Sequence, residues 1–224
     1  MAIFLNIDTT EETASVCLSD NAESIAFIKN ADQKDHAAWL HKAIQSMIND
    51  SGIGLRDINA VAVSIGPGSY TGLRVGLSAA KGLCYALNIP LIAINSLKLI
   101  AYAAKSSNTD LICPMIDARR MEVFTALYNC SLTEINKPEA VIINEMSFSS
   151  LLAENKIVFC GSGSKKLQNI LSHPNALFST NKASAIDMPH ITSVSYLEKS
   201  FAEIAYTEPL YIKEFYSPSR KPLI

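Results

Sequence analysis

The 224-residue chain contains no C-x-x-C pair. Its five cysteines, Cys17, Cys84, Cys113, Cys130 and Cys160, are scattered and odd in number, which argues against a zinc ribbon, a redox motif or a disulfide framework and reads as thiols in a reducing cytosol. Positive charge is not in excess either. Lys and Arg number 19 against 21 Asp and Glu, a net charge of -2, so no global field recruits nucleic acid and any RNA contact is local or made through a partner. No stretch approaches the roughly 20 apolar residues of a membrane span. The segment Met1–Asp8 lacks the basic and apolar regions of a secretory signal. A soluble cytoplasmic protein with no membrane contact is expected. Charged residues are sparse at 18%, while hydrophobic residues reach 49%, enough for a sizeable core and far from the composition of disorder. At about 150 residues per domain, the length allows one large domain or two small ones.

Hydrophobic patterning predicts strands at Ala2–Ile7, Thr13–Leu18 and Ser24–Ile28, a β-meander whose first turn is the polar run Asp8–Glu12. Apolar residues at Ala37, Leu40, Ile44, Met47 and Ile48 predict a helix from Asp35 to Ser51, stopped by Gly52 and Gly54. Asn59–Ile65 reads as a strand covered on both faces. A helix from Thr71 to Leu87 follows, then a strand Leu91–Ile94 and a helix Ser96–Lys105. After Asn108-Thr109-Asp110 the theme restarts, with strands Leu111–Asp117, Glu122–Tyr128 and Val141–Ile143. The remaining expected elements are a helix Ser147–Asn155, a strand Ile157–Cys160, a helix Lys165–Leu171 and a helix Val194–Ala205. The plan is α/β and duplicated, with halves at residues 1–108 and 109–224.

Familiar catalytic signatures are missing. Gly66-Pro-Gly-Ser-Tyr-Thr-Gly72 follows a strand and opens a helix, where a phosphate loop would sit. It is one residue too long for G-x-G-x-x-G and has no lysine before Lys81, so it reads as a sharp turn with Ser69 or Thr71 capping the helix. No G-x-S-x-G elbow occurs, Gly161-Ser-Gly-Ser164 lacking the intervening residues. His36 and His41 are five apart and fall on different helix faces; His173-Pro174 and Pro189-His190 look like loop positions. The adjacent Arg119 and Arg120 read as one structural and one exposed charge on opposite faces of a strand. Asp8-Thr9-Thr10, ending the first strand, resembles the phosphate-contacting turn Asp-x-Gly-Thr of the actin, Hsp70 and sugar-kinase group, without its glycine. These three residues are either nucleotide-contacting groups or side chains that satisfy turn amides.

The Thr71–Leu87 helix is informative. Arg74, Ser78, Lys81 and Tyr85 form one narrow polar strip, Leu73, Leu77 and Cys84 a bulky ridge, and Gly72, Gly76 and Ala80 a small-residue surface flanked by Val75, Ala79, Gly82 and Ala86. Each helical glycine costs roughly 1 kcal/mol relative to alanine, so three of them require close packing, either within the chain or against a second one.

Several stretches together resemble the TsaB (YeaZ) family of the machinery that places threonylcarbamoyl on tRNA adenosine. They are Asn6-Ile-Asp-Thr-Thr10, Val63-Ser-Ile-Gly-Pro-Gly-Ser-Tyr-Thr-Gly-Leu-Arg-Val-Gly76, Ala80-Lys-Gly-Leu83, Asn88-Ile-Pro90, Asn95-Ser-Leu97 and Ile116-Asp-Ala-Arg-Arg120. Met121 stands where that family usually carries glycine. The resemblance implies a two-domain actin-like fold of the ASKHA, ribonuclease H-like kind, duplicated as read above. It also implies that Ser96 and Ile100 replace the two histidines of the H-x-x-x-H metal motif of the related TsaD-type subunit, and neither side chain is an imidazole ligand.

The implied role is that of a non-catalytic scaffold with no metal and no cofactor of its own. It would pair with the TsaD-type catalytic subunit through the helices Asp35–Ser51 and Thr71–Leu87, and Trp39, Gly72, Leu73, Gly76, Leu77, Ala80 and Tyr85 are the expected contact residues. A TsaE-type ATPase is the third partner, with ATP or ADP near a shared interface. tRNA is met only through the complex, and a homodimer is expected on the same surface when the chain is alone. The rivals are an actin-like small-molecule kinase using Asp8, Thr9 and Thr10, and a peptidase acting on its relatives.

Overall fold

The amino-terminal apolar run forms β1 (Ile3–Asp8), in which every residue is buried. It lies mid-sheet, antiparallel to β2 (Ser15–Asp20) and parallel to β4 (Ile58–Gly66), with Leu5 opposite both Leu18 and Val61. The computed structural model of the chain describes residues 1–30, 35–106 and 108–213. β3 (Glu23–Lys29) and β5 (Leu91–Asn95) complete a sheet ordered β3-β2-β1-β4-β5. Period-two alternation along β1 explains its burial on both faces. Ile3, Leu5 and Ile7 pack with Leu40, Ile44 and Met47 of α1 (His36–Ser51) and Leu77 and Ala80 of α2 (Tyr70–Leu87). Phe4 turns the other way, toward Ala185, Met188 and Ile191.

Helix ends follow the sequence signals. Asp35 accepts a hydrogen bond from the Ala38 amide at the start of α1, and Gly52 closes it at φ 70°. Ser69 caps α2 by accepting from the Gly72 amide, and Asn88 ends it in the left-handed region at φ 55°.

α3 (Ser96–Ala103) joins the two halves, since Leu97, Ile100 and Ala101 share a core with Ile112 and Ile116. The second sheet holds β6 (Leu111–Asp117), β7 (Glu122–Asn129), β8 (Glu134–Ile142), β9 (Ile157–Cys160) and β10 (Ala176–Phe178), ordered β10-β9-β6-β7-β8. Read from its other edge, it repeats the first sheet, with β6 antiparallel to β7 and parallel to β9 as β1 is to β2 and β4. The far face of β6 packs Cys113 and Met115 against Leu152 of α4 (Ser149–Glu154) and Leu167 of α5 (Ser164–Gln168).

Some expectations are corrected. The strand expected at Val141–Ile143 starts at Glu134. It is an exposed edge strand, so it shows no apolar alternation and tolerates Pro138. β10 is three residues long, too short to show a strand pattern in the sequence. The helix expected at Val194–Ala205 is α6 (Pro189–Leu197), which opens on Pro189 and is left behind by Lys199 at φ 54°. Pro189 and His190 are therefore helical and not loop residues. The chain after β10 leaves the second sheet. Ala202 bridges Leu91 of β5, and the Leu210 amide donates to the Ile65 carbonyl. A clean split at residue 108 thus does not describe the packing of residues 185–213. No helix among the described residues is long and apolar enough to cross a membrane.

Candidate functional site

The Asp8-Thr9-Thr10 turn sits where β1 meets the amino end of α2. Asp8 is buried, and its Oδ1 accepts from the Thr10 amide at 3.1 Å, the Thr10 hydroxyl at 2.7 Å and the Ser64 hydroxyl at 2.5 Å. The Thr9 hydroxyl donates to the Gly72 carbonyl at 2.7 Å, and the Ser69 amide donates to the Thr10 carbonyl. All three side chains therefore already make hydrogen bonds: Asp8 and Thr10 to each other within the turn, and Thr9 to the α2 backbone. Only Thr10 among them borders the adjacent cleft.

That cleft, about 1510 Å³, lies between the two sheets. The duplicated topology brings equivalent turns to it: Thr10–Glu12 after β1 and Asp117–Arg120 after β6 line it, as do Gly68–Gly72 after β4 and Gly161 and Ser162 after β9. No local motif links these runs in the sequence; the repeated order of elements is the signal that pairs them. Arg119 and Arg120 occupy the β6–β7 turn at φ 70° and 48°, not a strand, and both line the cleft.

Asp117 accepts from Lys166 Nζ at 2.6 Å and from the Arg119 amide at 2.6 Å. Burial alone would push its carboxyl up, but the Lys166 and Arg119 hydrogen bonds and charges together hold it below the usual carboxylate value. Glu11 behaves oppositely. Its Oε1 accepts from the Ser162 hydroxyl across the cleft at 2.6 Å, yet burial first, and the charges of Asp8 and Glu12 next, outweigh that bond and Lys182 and raise its pKa. The Glu11–Ser162 bridge joins the halves across 151 residues of sequence, with no local pattern to announce it. Burial likewise drives up the Cys84 thiol to about 11 and Cys113 to about 12, which leaves both protonated and unreactive.

The helix face expected to meet a partner is corrected. Gly72, Leu73, Gly76, Leu77 and Ala80 are buried in this chain's own core. A Cβ on Gly72 would collide with the Thr9 carbonyl oxygen and one on Gly76 with the Thr9 hydroxyl, so these glycines admit the chain's own turn and not another molecule. Trp39 is half-buried against the first core, and Tyr85 is 83% exposed. What α1 and α2 present outward is a shallow groove of about 540 Å³, lined by Ala37, His41, Arg74, Val75, Ser78 and Gly82 among others. At the start of α3, the Ser96 hydroxyl accepts from the Gly66 amide and Ile100 is buried in the core.

Two five-stranded sheets of one topology, closing on a cleft formed by their equivalent turns, define the actin-like α/β class. The family described as TsaD, tRNA N6-adenosine threonylcarbamoyltransferase, matches residues 27–219. The Bacillus subtilis tRNA threonylcarbamoyladenosine biosynthesis protein TsaB is 39% identical over 129 residues, 55% of this chain and 54% of that protein. Its Escherichia coli counterpart of the same name is 27% identical over 217 residues, covering 93% of this chain and 94% of that one. The solved structure of YeaZ from Pseudomonas aeruginosa superposes with a TM-score of 0.81 at 22% identity, over 94% of this chain and 100% of that chain. The chain belongs to this family, in its TsaB (YeaZ) branch.

Proposed function

We propose that the chain is an accessory subunit in the formation of N6-threonylcarbamoyladenosine at position 37 of tRNA. In this reading it performs no chemistry itself and holds a TsaD-type catalytic subunit against the outer face of α1 and α2, with a TsaE-type ATPase as third partner. The observation that carries the reading is the chain's place in the TsaB branch, joined to an open groove over α1 and α2. The chemistry of the α3 start supports it, since Ser96 is engaged with the backbone and Ile100 has no donor atom. ATP or ADP belongs to an interface shared with the partners and not to Asp8, Thr9 and Thr10, whose side chains are already hydrogen-bonded. tRNA is reached through the complex, in keeping with the net charge of -2. Alone, the chain pairs with itself on the same face. Mass photometry of the chain mixed with the TsaD-type subunit of its own organism tests the pairing: a heteromeric species is expected, and two unmixed populations would contradict it.

A further inference from the structure

We infer that the groove over α1 and α2 is built for a partner that brings carboxylates to Arg74, and that such an acidic surface is favoured there over a second copy of this chain. The inference rests on the docking face proposed above and adds the chemistry of what it receives.

The polar lining of the groove is His41, Arg74 and Ser78, with no carboxylate among its described residues. α2 contains Arg74 and Lys81 but neither Asp nor Glu anywhere between Tyr70 and Leu87. The acidic residues of α1 lie at its ends and are engaged locally: Asp35 caps the helix, and Asp50 accepts from the Ser46 hydroxyl at 3.0 Å. Neither the groove lining nor α2 thus sets a carboxylate against Arg74.

Arg74 is also held in place. Its guanidinium stacks over the Tyr70 ring at 4.1 Å, and its Nε donates to the Tyr211 hydroxyl at 3.0 Å, the two rings lying 5.5 Å apart. Tyr211 reaches it from the far end of the chain, so two separate elements fix one exposed cation. A guanidinium offers five N–H donors in a planar fork matched to a carboxylate. Arg74 has no carboxylate partner among the described residues. An arginine positioned in advance loses less freedom when a carboxylate docks. A two-fold contact between copies would set the same patch against itself, bringing Arg74 and Lys81 toward a like-charged surface.

The test is isothermal titration calorimetry of the TsaD-type subunit against wild type, Arg74→Met, Arg74→Glu and Gly82→Trp, with circular dichroism confirming each fold. Self-association is followed in parallel by sedimentation equilibrium. Gly82 is exposed with open space around it, so the tryptophan blocks the groove without disturbing the core. Arg74→Met is expected to weaken partner binding about tenfold and Arg74→Glu about a hundredfold, while self-association is unchanged or tighter in Arg74→Met. Both Arg74 variants binding within about twofold of wild type, with Gly82→Trp abolishing binding, would overturn the acidic-partner inference and leave the docking face standing. Wild-type binding by Gly82→Trp would overturn the docking face itself.

Discussion

Thr9 is enclosed by α2. Its hydroxyl donates to the Gly72 carbonyl, and a methyl group on Gly76 would meet that same hydroxyl. Gly76→Ala is therefore expected to destabilise the fold by about 1–3 kcal/mol, the usual cost of overpacking, read as a lower midpoint in urea unfolding. Gly82→Ala is the control on the same helix. Nothing lies within 4 Å of its added Cβ, so removing a helical glycine should stabilise by about 0.5–1 kcal/mol. Equal effects at the two sites would show that helix propensity, and not the Thr9 contact, sets the cost. That these residues are small and share a face was legible from their spacing. Which side they face was not, because periodicity groups residues on a surface without saying what covers it. The Thr9 turn lies 63 residues from Gly72 in the chain, and no local pattern links them.

Elements with terminal signals are legible in the sequence: Gly52, Ser69 and Asn88 end or begin helices through left-handed backbone or a hydroxyl cap. β8 and the segment after α6 are poorly legible for a shared reason, since both lie at sheet margins where solvent replaces half of the packing and the apolar pattern thins out. That last segment nevertheless ties to both halves. Its Leu210 amide satisfies the Ile65 carbonyl of β4 at 2.7 Å, and Lys213 pairs with Glu122 of β7 at 2.5 Å. Leu210→Pro removes the donor and leaves the carbonyl unpaired, an expected loss of about 1–3 kcal/mol. Differential scanning calorimetry should show a lower Tm, whereas an unchanged Tm would mean that the segment is only loosely applied to the surface.

Across the whole molecule, the duplicated order of strands was visible in the sequence as a restarted meander, and it is the duplication that brings the turns of both halves to one cleft. Glu11 and Ser162 bridge that cleft, and the Glu11 carboxyl titrates above its ordinary value because burial disfavours its charge. The native state therefore binds this proton more tightly than the unfolded chain. Its contribution to stability is full below the unfolded value of about 4.5 and is lost as pH rises through the folded pKa. Glu11→Gln, which keeps an acceptor for Ser162 and removes the titration, should match wild type in acid and exceed it at neutral pH in urea unfolding. A constant difference between the two across that range would contradict the assignment.

We propose that this fold supports another subunit's chemistry and performs none. The most direct test of that role is the yield of modified adenosine in tRNA incubated with threonylcarbamoyl adenylate and each combination of the purified TsaD-type subunit, the TsaE-type ATPase and this chain. Modification is expected only when the chain accompanies the catalytic subunit. Product formed by this chain alone would contradict the claim.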